Sequence, residues 1–561
     1  MQAVAIPAPI AVDVPHDVAV TAECVTDLAA LDTALAAGLR RDWINAIDAD
    51  PLASVYQTPG WCVPWYHCYA DAFSPFVIVV RDGATVVGVV PMAVKRDDGR
   101  LVFASDTTAD YRDIVARPGY RRSVVAALIE QYVRGRFPGP LQIGWIDPAS
   151  DTPALVAEVC RRLGLKCAQS HQPCWRWRPE PGENLNKKFS RVRTHLNHFK
   201  RQGDVRFDLI TDQAAWAAFR GEFFQQHSLR QLQAAREVSF DDSRKRALYD
   251  AVFAAGDVRL HVTACRVNGR MISGHVGMLW RDVLLLGAPS ISIEDEHRSP
   301  AVILMAWIIQ NARELGLAAF DLTVGESEFK RRLGNRCVEL TMVDVYARPH
   351  EYYLRQAHTA SVHQVRRATE GALGTGAWES RVKPAISFAQ YKWRRLRELG
   401  LRASLARALT AAVGQPRGEL SYVASALTFE PDARAAGAEG EIHENRSEDL
   451  LLWNGASAAV GAAISACARA YARSRAANHS LHTLVRDGRL LAWCYAHDGV
   501  IYDVAATDQG SAADAYAALI GRVAREQVSR GSAGVRVVVS ENAHSLRLAL
   551  GRLGFRIASV K

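Results

Sequence analysis

The chain has 561 residues, a length that corresponds to about three or four domains and excludes a single small binding module. Hydrophobic residues make up 49% and charged residues 23%, close to the averages for globular proteins, so extensive disorder is excluded as well. The formal net charge of +9, from 68 Lys and Arg against 59 Asp and Glu, is modest. It points to an acidic partner only if the excess is concentrated in one region.

The first 44 residues are predicted to form an N-terminal tail and lead-in. Residues 1–20 contain three prolines and no Lys or Arg, whereas a secretory signal needs a basic start and an unbroken apolar stretch. We therefore expect a poorly ordered tail and a cytoplasmic protein. The ten cysteines include no Cys-x-x-Cys pair, so reduced thiols and no metal site are expected.

Three hairpin signals recur along the chain, with turns at 82–83, 268–269 and 487–488. The turn residues are Asp-Gly or Asn-Gly, which supply the positive φ of type I′ turns, and the flanking residues are apolar or alternate in period two. The predicted strand pairs are 76–80 with 85–94, 258–267 with 271–280, and 481–485 with 490–496.

Each hairpin is followed by a further strand and then by helices that alternate with strands. A strand meander crossed by helices predicts an α/β (α+β) fold with a mixed central sheet flanked by helices in each unit. Three such units are predicted, at 45–180, 183–350 and 448–561.

The basic residues are concentrated in two connecting segments. Residues 183–202 carry six Lys or Arg against one Glu, and residues 351–407 carry eleven against four. Both are predicted to be helical. The second segment forms most of a basic connector at 351–413, which is followed by a linker at 414–447. Because the rest of the chain has little net charge, there is no strong case for a nucleic-acid partner.

Within the connector, residues 381–402 interleave aromatic and basic residues, as at Trp393 between Lys392 and Arg394. This pattern is typical of a helix that lies on a membrane surface or contacts phosphates. A solvated helix packed by its aromatic side has the same pattern. Peripheral membrane contact through 381–402 is therefore one of two open interpretations.

The sharpest candidate site lies at the end of the last predicted strand of the second unit. Asp321 ends the strand, Gly325 allows a sharp turn, and Glu326 and Lys330 follow. A carboxylate at a strand end followed by a turn, further carboxylates and a cation is a plausible acid–base site. The alternative is an Asp that bonds local backbone, followed by a solvated turn.

A second candidate is the helix start at Arg298, Ser299 and Pro300. Serine at the N-cap and proline at the first helical position specify a helix start, whose free N–H groups can hold a phosphate beside Arg298. A plain capped core helix explains the same residues. The chain contains neither a GxGxxG nor a GxxxxGK[ST] loop, so nucleotide binding of those two kinds is unsupported.

These motifs, in their order and spacing, resemble a known family over residues 45–350. The chain is similar to the CelD-like (cellulose-biosynthesis type) acetyltransferases of the GNAT superfamily, which resemble the FemABX transferases in their paired domains. The residues that carry the resemblance are SVYQTPGW at 54–61, VVGVVP at 86–91, DYRD at 110–113, RSP at 298–300 and FDLTVGESEFK at 320–330.

The resemblance implies tandem GNAT-like units, of which the second is catalytic. It implies transfer of an acyl group from acetyl-CoA or another acyl-CoA to an amine or hydroxyl of a small molecule or saccharide. Surface polysaccharide or envelope synthesis is the implied setting. The third unit resembles an ordinary GNAT domain at its end, and its residues 509–512 match the superfamily's phosphate-binding loop loosely.

The resemblance also implies roles for individual residues. Asp321 is expected to act as base or to orient the acceptor, Glu326 is the alternative base, and Lys330 is expected to stabilise charge. The implied acyl-CoA cradle comprises Arg298, Ser299, Ala301 and Val302, and the implied substrate-binding residues are Tyr111, Asp113 and Gly325.

Two other functions stay open from the sequence. A FemABX-like transferase would use an aminoacyl-tRNA donor, which the basic helices would suit. A non-catalytic scaffold would keep the GNAT fold and bind an anionic membrane or nucleic acid through the connector. The superfamily's usual loop, Q/R-x-x-G-x-G/A, is absent from the second unit, where Arg298-Ser299-Pro300-Ala301 stands in its place.

Overall fold

The chain forms two compact bodies in the computed structural model. The N-terminal body comprises Met1–Phe219, Asp242–Pro289 and Ala301–Val365, and the C-terminal body comprises Arg220–Asp241, Ser290–Pro300 and Arg366–Lys561. The structure describes residues 20–106, 108–234, 238–373, 419–425, 440–453, 458–507, 512–532, 534–540, 543–553 and 555–560.

The first part of the N-terminal body is a five-stranded sheet with helices. The strands run in the order β1-β2-β3-β4, and β5 pairs with β3; these pairs are antiparallel. The elements are β1 (Thr21–Val25), α1 (Leu28–Ala34), α2 (Arg40–Ala49), α3 (Pro59–Cys68), β2 (Phe73–Asp82), β3 (Thr85–Lys95), β4 (Leu101–Phe103), β5 (Val115–Ala116), α4 (Arg121–Arg134), β6 (Leu141–Ile146) and α5 (Thr152–Arg162).

The segment predicted as a lead-in belongs to this sheet from Thr21 onward, which corrects the predicted boundary at residue 45. β1 pairs with β2, and Ala22 and Cys24 pack against the core that β3 and α4 form. Because alternate residues of a strand share a face, two small residues suffice to anchor β1. Residues 1–19 of the predicted tail lie outside the described residues.

The second part of the N-terminal body is built on an eight-stranded sheet, in the order β6-β13-β7-β12-β11-β10-β9-β8. β11 and β12 are parallel, so the sheet is mixed, as predicted. The elements are β7 (Lys166–Trp177), α6 (Leu185–Lys188), α7 (Ser190–Gln202), β8 (Val205–Ile210), α8 (Gln213–Gln233), α9 (Ser243–Ala255), β9 (Arg259–Val267), β10 (Arg270–Trp280), β11 (Val283–Ile291), α10 (Pro300–Gln310), β12 (Ala319–Val324), α11 (Glu328–Leu333), β13 (Arg336–Tyr346) and α12 (Pro349–Leu373). Four of these elements, α8, β11, α10 and α12, have part of their residues in the C-terminal body.

The two predicted units at 45–180 and 183–350 share this sheet. β7, the last strand of the first predicted unit, lies between β12 and β13 of the second, and β6 pairs with β13 at the sheet edge. The predicted division near residue 180 therefore differs from the structure. The difference arises because strand pairing across so many residues leaves no local sequence signal.

The C-terminal body has a seven-stranded mixed sheet in the order β15-β16-β17-β18-β19-β14-β20, with β18 and β19 parallel. The predicted linker at 414–447 is partly wrong, because it contains β14 and β15. The elements are β14 (Glu419–Ser425), β15 (Glu441–Glu444), α13 (Ala458–Ala476), β16 (Ser480–Arg486), β17 (Arg489–His497), β18 (Val500–Ala506), α14 (Ala512–Ser529), β19 (Gly534–Ser540), α15 (His544–Arg552) and β20 (Arg556–Val560).

All three predicted hairpins are present. In the second and third, both loop residues have positive φ, as in Asn268 (50°) and Gly269 (83°), which fits type I′ turns. In the first hairpin Asp82 pairs with Thr85, so the loop is Gly83-Ala84, one residue later than predicted, and of the two only Gly83 has positive φ.

The basic connector is described only in its first part, where α12 covers residues up to 373. The candidate membrane-contacting segment 381–402 lies outside the described residues. Among the residues that the structure covers, no helix has the length and apolar character needed to cross a bilayer. In the same residues, no group of three or more His, Cys, Asp or Glu side chains is arranged to hold a metal ion.

Candidate active site

The end of β12 is irregular. Its pairing with β7 changes register between Asp321 and Val324. Thr323 has a φ of 59° and Gly325 a φ of 101°, both in the left-handed region, which threonine rarely adopts. Such bulges redirect side chains and are frequent beside active sites. This strand end is where segments of both predicted units meet within the N-terminal body.

Asp321 accepts hydrogen bonds from several groups and is only 6% exposed. Its Oδ1 accepts from the Tyr111 hydroxyl at 2.7 Å, from the Thr323 N–H at 2.8 Å and from the Cys174 thiol at 3.3 Å. Its Oδ2 accepts from Arg176 Nε at 2.9 Å. With both oxygens engaged and the charge paired, Asp321 is placed to hold Tyr111 rather than to take a proton from a substrate.

Arg176 joins Asp321 to a second carboxylate. Its Nη2 donates to Asp147 Oδ2 at 2.7 Å. Burial acts to lower the pKa of Arg176, but Asp321, Tyr111 and Asp147 together outweigh burial, and the pKa is raised. Arg176 therefore keeps its positive charge between the two carboxylates.

Lys330 reaches back from α11 to the strand end. Ser327 caps α11 by accepting the Lys330 N–H at 3.2 Å, which fixes the lysine in the first turn. Its Nζ donates to the carbonyls of Thr323 at 3.2 Å and Val324 at 2.6 Å. Burial lowers the pKa of Lys330, although the Asp110 charge opposes the shift. An ammonium has three donors, so one remains beyond these two bonds for a ligand.

Asp110 has the properties of a general base. It is half-buried, and its Oδ2 accepts from the Tyr56 hydroxyl at 3.4 Å. Burial raises the pKa of Asp110 above its ordinary value; the Lys330 cation opposes this shift, and the Asp321 charge adds to it. A partly accessible carboxylate with a raised pKa accepts a proton more readily than an ordinary Asp.

The motif at residues 54–61 positions the two tyrosines. Gln57 Oε1 accepts from the Ser54 N–H at 2.6 Å and the Ser54 hydroxyl accepts from the Tyr56 N–H at 3.3 Å, which is a capping box. Gln57, only 1% exposed, donates to the Tyr111 carbonyl at 3.1 Å. The Trp61 ring contacts Tyr56 edge-on, with centroids 5.5 Å apart. Gln57 thus links the segment that contains Tyr56 to the backbone of Tyr111.

Three of the residues predicted for the site meet in this cluster: Tyr111, Asp321 and Lys330. Gly325 lies in the adjoining turn, and a Cβ at that position would lie 4.0 Å from Lys330 Nζ. The positive φ of Gly325 is what lets the chain turn there, so its role in this structure is conformational.

Asp113 and Glu326 lie away from the cluster, contrary to the prediction. Asp113 is buried and accepts from the Ser150 hydroxyl at 2.8 Å and from Arg121 Nη1 at 3.4 Å. Glu326 is 53% exposed and lies 3.8 Å from Arg331. The partners of Asp113 draw it into the core, and the turn at Gly325 directs Glu326 to solvent.

The helix start predicted to hold a phosphate, at residues 298–302, has a different backbone conformation from the one expected. A 3-10 helix ends at Arg298, and Ser299 has a φ of 53° instead of the extended conformation of an N-cap residue. Ala301 is half-buried and Val302 is buried. Arg298 Nε is buried and has no hydrogen-bond partner among the described residues. A buried guanidinium N–H without a partner suits an anionic ligand.

Sequence reasoning missed Tyr56, Asp110, Cys174 and Arg176 as members of the site. Asp110 had a signal, because it begins the DYRD motif and lies next to Tyr111. Tyr56 likewise lies within the SVYQTPGW motif. Arg176 and Cys174 had no such signal in the sequence, since they reach Asp321 only through the pairing of β7 with β12.

The fold and one comparison define the class of protein. Residues 186–331 match the family model described as "Acetyltransferase (GNAT) domain". The matched residues run from α6 into α11 and include Asp321 and Lys330. The chain thus contains a GNAT acetyltransferase domain and is an acyltransferase, which confirms the enzyme class that the resemblance implied.

Solved structures similar to this chain are distant from it in sequence. FemX is 14% identical, with a TM-score of 0.42 and coverage of 56% of this chain and 98% of FemX. The C-terminal domain of a putative lysylphosphatidylglycerol synthetase from Agrobacterium fabrum is 13% identical (TM-score 0.39; 57% and 96% covered). A tandem GNAT protein from the clavulanic acid biosynthesis pathway is 13% identical (TM-score 0.35; 59% and 99% covered). No curated protein matches the chain.

Proposed function

We propose that the N-terminal body transfers an acyl group from an acyl-CoA thioester to an amine or hydroxyl acceptor, with Asp110 as the general base. One observation carries the proposal. Asp110 is a half-buried carboxylate whose pKa is raised by burial, beside the Tyr56 hydroxyl and the Lys330 ammonium. A base of this kind is what direct acyl transfer to a protonated acceptor requires.

The reaction balances with these groups alone. The acceptor nitrogen or oxygen attacks the thioester carbonyl, a C–N or C–O bond forms and the C–S bond breaks. The acceptor's proton passes to Asp110 and then to the departing thiolate, which leaves as the free thiol of CoA. The remaining Lys330 N–H is available to donate to the oxyanion of the tetrahedral intermediate.

Asp321 acts in this proposal through Tyr111. Its short bond to the Tyr111 hydroxyl fixes the phenol, and its ion pair with Arg176 holds the carboxylate in place. The negative charge of Asp321 also favours protonation of Asp110. This role differs from the one expected from the sequence, in which Asp321 takes the proton or orients the acceptor.

For the donor we propose acetyl-CoA or a related acyl-CoA, with its phosphates at Ala301 and Val302 in the first turn of α10. The free N–H groups of that turn support this assignment. The finer parts of the expectation belong to the same proposal: the likeness to CelD-like enzymes, a saccharide or small-molecule acceptor in envelope synthesis, and a cytoplasmic location.

Acyl transfer is tested by incubating the full chain with radiolabelled acetyl-CoA or a longer acyl-CoA and measuring free CoA by chromatography. Thiol reagents are unsuitable because the chain itself has ten cysteines. We expect Asp110→Asn to slow CoA release by about 10²–10⁴-fold. Asp498→Asn, at a carboxylate that is 87% exposed in the C-terminal body, is the matched control and keeps the wild-type rate.

Failure of the wild type to release CoA from any acyl-CoA would contradict the donor assignment. In that case, transfer from an aminoacyl-tRNA by the same preparation would favour the FemABX-like alternative. Equal rates for Asp110→Asn and the wild type would contradict the assignment of the base.

A further inference from the structure

A cavity of about 530 Å³, lined by both polar and apolar side chains, lies in the N-terminal body, outside the cluster of Asp110, Asp321 and Lys330. Its floor is formed by β4, β6 and β13, whose alternate residues point away from the core that β3 and α4 form. Val102, Gln142 and Asp344 lie on this outer face. Glu351, Leu354 and Arg355 of α12, at spacings of three and four, form the opposite wall. The volume is in the range of sites for small organic ligands.

The charged groups of the cavity are largely paired with each other or with neighbours. Asp344 Oδ1 accepts from Gln142 Nε2 at 2.9 Å, and Asp106 pairs with Arg112 at 2.6 Å. Glu351 lies 3.4 Å from Arg348. Because the charges are mixed in sign and mostly neutralised, the cavity favours a neutral ligand with several donors and acceptors over an ion.

The cavity also has an apolar side. Leu354 is 68% exposed, an unusual state for a leucine, and Pro140 and Val102 line the cavity as well. A ligand that presents C–H groups on one face and hydroxyls along its edge matches an apolar wall opposite carboxylates and an amide. A pyranose ring has this amphipathic form.

Arg112 lies between the cavity and the Asp110 cluster. Its guanidinium packs over Gly144, where a Cβ would come within 3.5 Å of Nη2, and Gly144 lies two residues along β6 from Gln142. On its other side, the charge of Arg112 slightly opposes the rise that burial causes in the pKa of Asp110. Two residues of a strand span about 7 Å, so a ligand in the cavity would extend past Arg112 toward Asp110.

We propose that this cavity binds a neutral saccharide, as the part of the acyl acceptor that lies away from the reacting atom. The designation as acceptor rests on the proposed acyl transfer, whereas the binding itself does not. The Gln142 amide hydrogen-bonds a ring or hydroxyl oxygen, Leu354 covers the apolar face of the sugar, and the reacting group lies toward Asp110.

Binding is tested by ligand-observed NMR on the full chain with cellobiose, maltose and N-acetylglucosamine as neutral probes. Glucose 6-phosphate and glucosamine are the charged probes. We expect at least one neutral probe to bind, and binding to weaken about tenfold or more in Leu354→Asp, which replaces the apolar wall by a charge. Tyr353→Asp is the matched control, because Tyr353 is a neighbouring residue of α12 that is 58% exposed and does not line the cavity.

The outcomes separate this inference from the proposed reaction. Asp110→Asn should bind the saccharide like the wild type even though it no longer releases CoA, and binding that survives a failed transfer assay still supports the cavity. Absence of binding by every neutral probe overturns the inference. Binding that Leu354→Asp leaves unchanged, or that is tighter for a charged probe than for any neutral one, overturns it as well.

Discussion

The second sheet of the N-terminal body and the sheet of the C-terminal body have the same strand order but different chemistry. The run β13-β7-β12-β11-β10-β9-β8 corresponds to β20-β14-β19-β18-β17-β16-β15, and the parallel pairs β11/β12 and β18/β19 occupy equivalent places. In each sheet an earlier strand, β7 or β14, is inserted beside the last member of the parallel pair. The two sheets are thus versions of one scaffold.

The difference lies at the position of Asp321. Val283 begins β11 and pairs with Ala319 of β12, and Val500 begins β18 and pairs with Arg536 of β19. Two residues beyond these partners, Asp321 and Val538 occupy equivalent positions in the two sheets. The antiparallel neighbours agree, since Asp321 pairs with Arg176 and Val538 pairs with Ser421. The scaffold alone therefore does not make a site. The N-terminal body adds the ion pair of Asp321 with Arg176, together with Tyr56 and Tyr111 from the segments around its first sheet.

The largest effect is expected from giving the N-terminal body the residues of its counterpart. Asp321→Val alone leaves Arg176 buried with one partner fewer, so we expect a loss of about 3–5 kcal/mol in unfolding free energy. Adding Arg176→Ser removes the unpaired charge and should restore most of that stability. The double variant should still release CoA about 10³-fold more slowly, because Tyr111 is no longer held. Denaturant titration and the CoA assay measure the two effects.

A double variant with wild-type activity would show that the pair serves stability alone. A double variant as unstable as Asp321→Val would show that the two residues are not coupled.

Lys330→Met should have the next largest effect. We expect CoA release to fall by about 10–100-fold, through loss of the free N–H at the oxyanion. Because the Lys330 cation holds down the pKa of Asp110, its removal should also move the acidic limb of the pH–rate profile to higher pH. If CoA release slows but the acidic limb of the pH–rate profile does not move, Lys330 has a purely structural role.

A feature that both sheets share is a buried histidine, and here we expect parallel behaviour. Burial lowers the pKa of His275 in β10 to about 3 and that of His482 in β16 to about 4. In the unfolded chain the pKa is about 6.5, so the unfolded state binds the proton first and stability falls as pH drops below that value. Each histidine should cost about 2 kcal/mol of unfolding free energy at pH 5 relative to pH 7.

Guanidinium titrations at the two pH values check this prediction with His275→Leu and His482→Leu. Each substitution should flatten the pH dependence of its own body. A dependence that neither variant changes would mean that other groups control acid stability.

The smallest effect is expected at the cap of α11. Ser327→Ala removes the acceptor of the Lys330 N–H and should cost about 1 kcal/mol. Asp27→Ala removes the equivalent cap of α1, where Asp27 accepts from the Ala30 N–H at 2.8 Å, at similar cost. Only Ser327→Ala should slow CoA release, because only that cap positions Lys330. Equal rates of CoA release in the two variants would show that the Ser327 cap does not position Lys330.

The parts of this fold that the sequence predicted are those with local signals. Asn268-Gly269 specified a hairpin through the positive φ that both residues adopt, and Gly325 marked the turn after β12 for the same reason. Asp321 and Lys330 lay close enough in sequence to be read as one constellation.

The remaining parts depend on long-range pairing. Arg176 reaches Asp321 because β7 is inserted between β12 and β13. No residue pattern within β7 predicts that it pairs with these two strands. β14 was read as linker because its partners, β19 and β20, lie more than a hundred residues later. The sequence predicts Asp321 as base or as a group that orients the acceptor, with Glu326 as the alternative base. It does not predict Asp110, because only the structure shows which carboxylate already has both oxygens occupied.

The pH dependence of CoA release by the wild type and Asp110→Asn tests the central claim most directly. If Asp110 is the base, the wild-type rate rises with pH through the raised pKa of this carboxyl, and the substitution removes that limb together with about 10²–10⁴-fold of the rate. An Asp110→Asn variant that keeps both the rate and the limb would contradict the account and place the base elsewhere.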